Sequence, residues 1–129
     1  MAQYNPGNYQ SNTANAIPMY TVAGSSAVTP AAASASAIVA GGTAIVVATG
    51  PINGGYVTNP SNAASQGIGA AENAYLDMVG TPGSTDSAAN GTTVILQPGQ
   101  TFALPALAAG VNVRVNAATS GHKLTAVVW

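Results

Sequence analysis

Short runs of β-branched and apolar residues, each closed by glycine, proline or asparagine, set the rhythm of residues 36–129. The run "SAIVA" (36–40) leads through Gly41-Gly42 into "TAIVVAT" (43–49), which Gly50-Pro51 stops. Two glycines between β-prone arms match a two-residue primed turn, so this stretch predicts a hairpin. "GYVTN" (55–59) ends at Pro60. "NAYLDMV" (73–79) alternates, with Tyr75, Asp77 and Val79 on one face and Leu76 and Met78 on the other. "TTVILQ" (92–97) and "QTFAL" (100–104) flank Pro98-Gly99, a favourable central pair for a type II turn. "VNVRVN" (111–116) predicts a strand with Val111, Val113 and Val115 inward and Asn112, Arg114 and Asn116 outward, and "KLTAVVW" (123–129) predicts the final strand. Residues 61–74 are alanine-rich, but their two glycines allow no more than one helical turn. The pattern predicts an all-β domain, a small β-sandwich or jelly-roll of about seven to eight strands.

Residues 1–35 follow neither period. They carry Pro6, Pro18 and Pro30 among scattered Asn, Ser and Ala, and three of the five tyrosines. The reading is an extended N-terminal arm ahead of a sandwich domain at 36–129. Such an arm has too little apolar surface to fold alone, and Tyr4, Tyr9 and Tyr20 are its expected anchors on a partner. Trp129 is expected to pack over the sandwich or into a subunit contact.

Composition sharpens this picture. Leu, Ile, Val and Phe together number only 25 of 129 residues, against 27 alanines, and there is no cysteine. A core this thin and unstapled points to stabilisation by oligomerisation or by packing on a partner. Charged residues make up 4% of the chain, and residues 1–71 contain none, so the surface suits one covered by neighbours in an assembly. Arg114 and Lys123 are the only basic residues, which leaves no electrostatic footprint for nucleic acid or anionic lipid. The charge-free stretch 31–50 has roughly the 20 residues a membrane span requires. It holds only five Ile or Val, and no Lys or Arg flanks it, so no membrane partner is expected. It also lacks the Gly-Lys-Ser/Thr of a phosphate loop, and "GIGAAE" (67–72) lacks a third glycine. The start, "MAQYNPGNYQ", has neither a basic nor an apolar signal region, and the absence of cysteine is compatible with a reducing cytoplasm.

The chemistry-bearing inventory is short. His122 is the only histidine, and the acids are Glu72, Asp77 and Asp86. No serine sits in a Gly-x-Ser-x-Gly elbow, and one histidine without cysteine is too few for a zinc site. The expectation is no enzyme, with no catalytic residue, no cofactor and no metal. Glu72 and Asp77 lie at an odd spacing that would turn them to opposite faces of a strand. His122, after Ser120-Gly121, reads as a turn residue capping the last strand, and Asp86 as a solvated loop acid.

Four segments then carry a resemblance. "GYVTNPSNAASQG", "AENAYLDMVG", "TTVILQPGQTFALP" and "SGHKLTAVVW" together resemble small structural proteins of tailed-bacteriophage heads, the capsid decoration (cement, head-stabilising) proteins. The resemblance spans roughly residues 43–129. It implies a sandwich or jelly-roll that forms a homotrimer on the outer capsid surface of the virion, binds the major capsid protein across capsomer boundaries, and is assembled in the host cytoplasm. The alternative is a host-recognition or glycan-binding module of a phage tail or fibre; such sites use several exposed aromatics, and the sandwich offers only Tyr56, Tyr75, Phe102 and Trp129. A secreted surface protein is a third reading, which the missing signal region disfavours.

Overall fold

The structure, a computed structural model, describes residues 29–32 and 36–129. Eight strands form among them: β1 (Ala31–Ala32), β2 (Ile45–Thr49), β3 (Gly55–Thr58), β4 (Ala74–Asp77), β5 (Val94–Leu96), β6 (Thr101–Leu104), β7 (Asn112–Asn116) and β8 (Thr125–Val128). They build two four-stranded sheets, ordered β1-β8-β3-β6 and β2-β7-β4-β5. Strand β1 pairs antiparallel with β8, β2 with β7, β3 with β6, and β4 with β5. The chain is therefore one long antiparallel hairpin with its tip between β4 and β5. It is rolled up so that β3 also meets β8 and β4 also meets β7. Of the two expected all-β forms, this winding is the jelly-roll.

Alternation explains which residues face the interior. Val113 and Val115 of β7 and Leu76 of β4 are fully enclosed, as are Val47, Val57 and Ile38. Ala48, Ala74, Ala117 and Ala126 fill the remaining space, which is how a chain poor in large apolar residues closes a core. Leu76 lies in register with Val94 on one side and Val115 on the other. Because hydrogen-bonded sheets cannot collapse around a void, Leu76→Ala is expected to cost about 3 kcal/mol. Urea unfolding of the variant checks this, and a loss below about 1 kcal/mol would contradict it.

The hairpin expected at 36–49 is not formed. Thr43 N–H donates to the Ala40 carbonyl at 3.0 Å, so Gly41-Gly42 does make a tight turn. Of the two glycines only Gly42 has positive φ, at 80°, which is a type II pattern and not a primed one. A type II turn splays its arms, and each arm finds a distant partner. Ala37 bridges Lys123 and Ile38 N–H donates to the His122 carbonyl, while β2 pairs with β7 in the other sheet. Gly41 is pressed against the Ala118 carbonyl, where no Cβ would fit. Pro98-Gly99 behaves as expected: Gln100 N–H donates to the Gln97 carbonyl at 2.9 Å and Gly99 has φ 88°. That turn also crosses from one sheet to the other.

The helical turn expected within 61–74 is α1 (Ala63–Gln66), capped by Asn62 and ended by Gly67 at φ 75°. Ala31 and Ala32, inside the segment expected to be arm, pair with Val128 and Val127 at the edge of the first sheet.

Candidate functional site

The alternation in β4 and β7 turns Tyr75, Asp77, Arg114 and Asn116 to the outer side of the second sheet, which the sequence predicts for Arg114 and Asn116, while for Tyr75 and Asp77 it predicts only a shared face. Tyr75, Asp77 and Asn116 are nevertheless buried, because the β4–β5 connection (78–93) folds back over them. Asn116 Nδ2 donates to the Pro82 carbonyl at 2.9 Å, and an Arg114 guanidinium nitrogen donates to the Gly80 carbonyl at 3.3 Å. Asp77 anchors the fold-back. Its Oδ1 accepts from the Val79 and Gly80 N–H groups, both at 2.7 Å, and its Oδ2 from the hydroxyls of Thr92 (2.7 Å) and Thr93 (3.1 Å). Burial pushes this carboxyl up, but the four donors outweigh it and hold it at about 2.

A second polar assembly fills the end of the barrel between β3, α1 and the β7–β8 turn. His122 is fully buried, with Nδ1 3.0 Å from Glu72 Oε1 and Nε2 2.9 Å from Asn59 Oδ1. Asn59 Nδ2 donates to the carbonyls of Glu72 and Leu96, which can only accept, so the orientation of this amide is fixed and its Oδ1 faces the ring. Gln66 Nε2 donates to the same Oδ1, and Gln66 Oε1 accepts the Glu72 N–H. The two His122 ring nitrogens thus face Glu72 Oε1 on one side and Asn59 Oδ1 on the other. Glu72 also accepts from the N–H and hydroxyl of Thr119. Burial raises the Glu72 carboxyl, but the bonds from His122 and Thr119 outweigh it and leave it below its ordinary value.

His122 is the turn residue the sequence predicts, its N–H reaching the Thr119 carbonyl at 3.4 Å, but its side chain does more than end a turn. It links two loops whose partners lie 50 and 63 residues away in the chain. In a hydrolytic triad the ring nitrogen opposite the carboxylate faces a nucleophile; here it faces a carboxamide oxygen.

Between these assemblies lies an open groove of about 470 Å³ that runs from Glu72 and Asn73 to the 84–87 segment, with the Tyr75 hydroxyl in its floor. Asp86 is exposed, as expected of a solvated acid, yet it is also held: its Oδ1 accepts from Tyr75 at 2.7 Å and from Asn73 Nδ2 at 3.3 Å. Burial, and then the bond to Asp86, push the Tyr75 hydroxyl up to about 12. The carboxylate is therefore pre-oriented by a permanent donor.

The opposite outer face belongs to the first sheet. Tyr56 stands in register with Ala103 on β6 and Val127 on β8, and Thr58 with Thr101 and Thr125. No strand of this sheet contains a charged residue. Trp129 closes this face. Its ring centroid is 6.4 Å from that of Tyr56, and its indole covers Gly54, where a Cβ would lie 3.0 Å from Nε1. Its carbonyl accepts from Asn53 N–H at 2.6 Å. Trp129 therefore packs over the sandwich, one of its two expected positions, and stays half-exposed. Tyr4, Tyr9 and Tyr20 lie outside the described residues.

Sequence reasoning missed Asn59, Gln66, Asn73 and Ser84. Asn62, which caps α1 by accepting from the Ser65 N–H, is a residue type that favours helix starts, but nothing local marks Gln66 as buried. No protein family, curated protein or solved structure matches the chain, so its functional reading rests on residues and geometry.

Proposed function

We propose that this protein is a structural component of a tailed-phage virion that binds the outer capsid surface as a homotrimer and stabilises the shell of major capsid protein. The observation that carries this reading is the uncharged outer face of the β1-β8-β3-β6 sheet, with Tyr56, Val127, Ala103, three threonines and the half-exposed Trp129. A face of this kind gains by burial of apolar area at about 25 cal/mol per Å² and loses no charge hydration on docking. Two of the three acids face inward contacts, Asp77 to the fold-back and Glu72 to His122, so the skin carries still fewer free charges than the composition implies. The jelly-roll is at home in viral shells, although fold alone does not assign a role. His122, committed on both nitrogens, supports a structural part and not a catalytic one. Repetition of modest contacts at symmetric capsid positions supplies avidity.

Purified chain added to heads assembled without it tests the reading. It is expected to pellet with the heads equally well in dilute buffer and in high salt, because uncharged contacts are little screened. Chain left in the supernatant contradicts the proposal.

A further inference from the structure

The polar groove lies on the second sheet, on the opposite side of the sandwich from the uncharged face. We propose that it is a binding site for a neutral saccharide, recognised through Asp86, Asn73 and Ser84. Asp86 Oδ1 is occupied by Tyr75 and Asn73, while its Oδ2 accepts no hydrogen bond from the described residues and faces solvent as a strong acceptor. Asn73 spends one amide hydrogen on Asp86, which leaves its carbonyl oxygen and its second N–H. Ser84 Oγ makes no hydrogen bond among the described residues, so it offers both a donor and an acceptor. A carboxylate, a carboxamide and a hydroxyl side by side match adjacent sugar hydroxyls, each of which donates once and accepts once. The Ala118 methyl supplies a small apolar wall for ring C–H groups.

Two other ligand classes fit less well. An anionic ligand would meet Glu72 and Asp86, and neither Arg114 nor Lys123 lines the groove. A hard cation such as calcium takes about six to eight oxygens. Of the two carboxylates here, Glu72 already accepts from Thr119 and His122 on both oxygens, and no group of three metal-ligating residues exists among the described residues. The groove's volume of about 470 Å³ admits a short saccharide, and its openness to solvent predicts weak affinity that many copies on one particle would multiply.

Amide NMR of the full chain tests this, with separate titrations of glucose, galactose, mannose, N-acetylglucosamine, calcium chloride and sodium phosphate. At least one neutral sugar is expected to shift the amides of 72–75 and 84–87 saturably. Ser84→Ala and Asp86→Asn are each expected to weaken that response about tenfold, the cost of one charge-assisted or well-placed hydrogen bond. Ser84→Ala removes no hydrogen bond of the fold, so its spectrum stays native elsewhere. The proposal is overturned if no sugar shifts these amides, if both variants respond like the parent chain, or if calcium or phosphate alone produces the shifts. The measurement uses no capsid, so its failure is separate from any failure of the capsid reading.

Discussion

Removal of residues 1–28 is expected to release the protein from capsids while the jelly-roll stays folded. Among the described residues the core begins at Ile38, and both polar assemblies are built from residue 59 onward. The truncation therefore keeps every described element, including the Ala31–Ala32 pairing with β8. What it removes is a charge-free segment with Tyr4, Tyr9 and Tyr20, the expected anchors on a neighbouring surface. Loss of a linked second contact weakens binding by about a hundredfold or more. Sedimentation with heads reads the loss, and thermal melting reads the fold. Full retention on capsids would show that the sheet face alone makes the attachment and that the arm contributes nothing.

Asp77→Ala is expected to be the most damaging single substitution to stability, at about 4 kcal/mol. It strips the acceptor from two backbone N–H groups and two threonine hydroxyls and frees the connection that covers Tyr75 and Asn116. That is a large part of the roughly 5–15 kcal/mol that holds a domain together. Chemical denaturation measures it, and a loss under about 1 kcal/mol would mean that the fold-back does not depend on this carboxylate. The acid dependence has the same origin. The folded carboxyl sits at about 2 against an ordinary 3.8, so its contribution is complete above pH 3.8 and is lost as pH falls through about 2. Glu72, also held below its ordinary value, adds in the same direction. Asp77→Ala should flatten this acid limb, leaving the weaker slope due to Glu72.

Strand positions, the two faces of β4, the inward face of β7 and the Pro98-Gly99 turn were legible because they depend on neighbours in sequence. Partner choice was not. "SAIVA" and "TAIVVAT" look alike as hairpin arms, yet each meets a strand from the far end of the chain, and Gly42 φ and the crowding of Gly41 send them apart. The same limit hid the candidate sites. Tyr75 and Asp77 were read as sharing one strand face, and they do, but only the fold-back of 78–93 makes one a groove floor and the other a buried anchor. His122 looked like a turn residue because Ser120-Gly121 precedes it; Glu72 and Asn59, which fix its role, stand 50 and 63 residues away. The sequence left Trp129 with two positions, over the sandwich or in a subunit contact; its packing on Tyr56 is a contact across 73 residues that no local pattern marks.

The central claim is attachment to a phage head, and immunogold electron microscopy tests it most directly. Antibody to this protein is applied to particles from a culture that expresses its native gene cluster. Gold spread over the heads is the predicted result. Gold confined to tail tips, or to cell envelopes without particles, would contradict it.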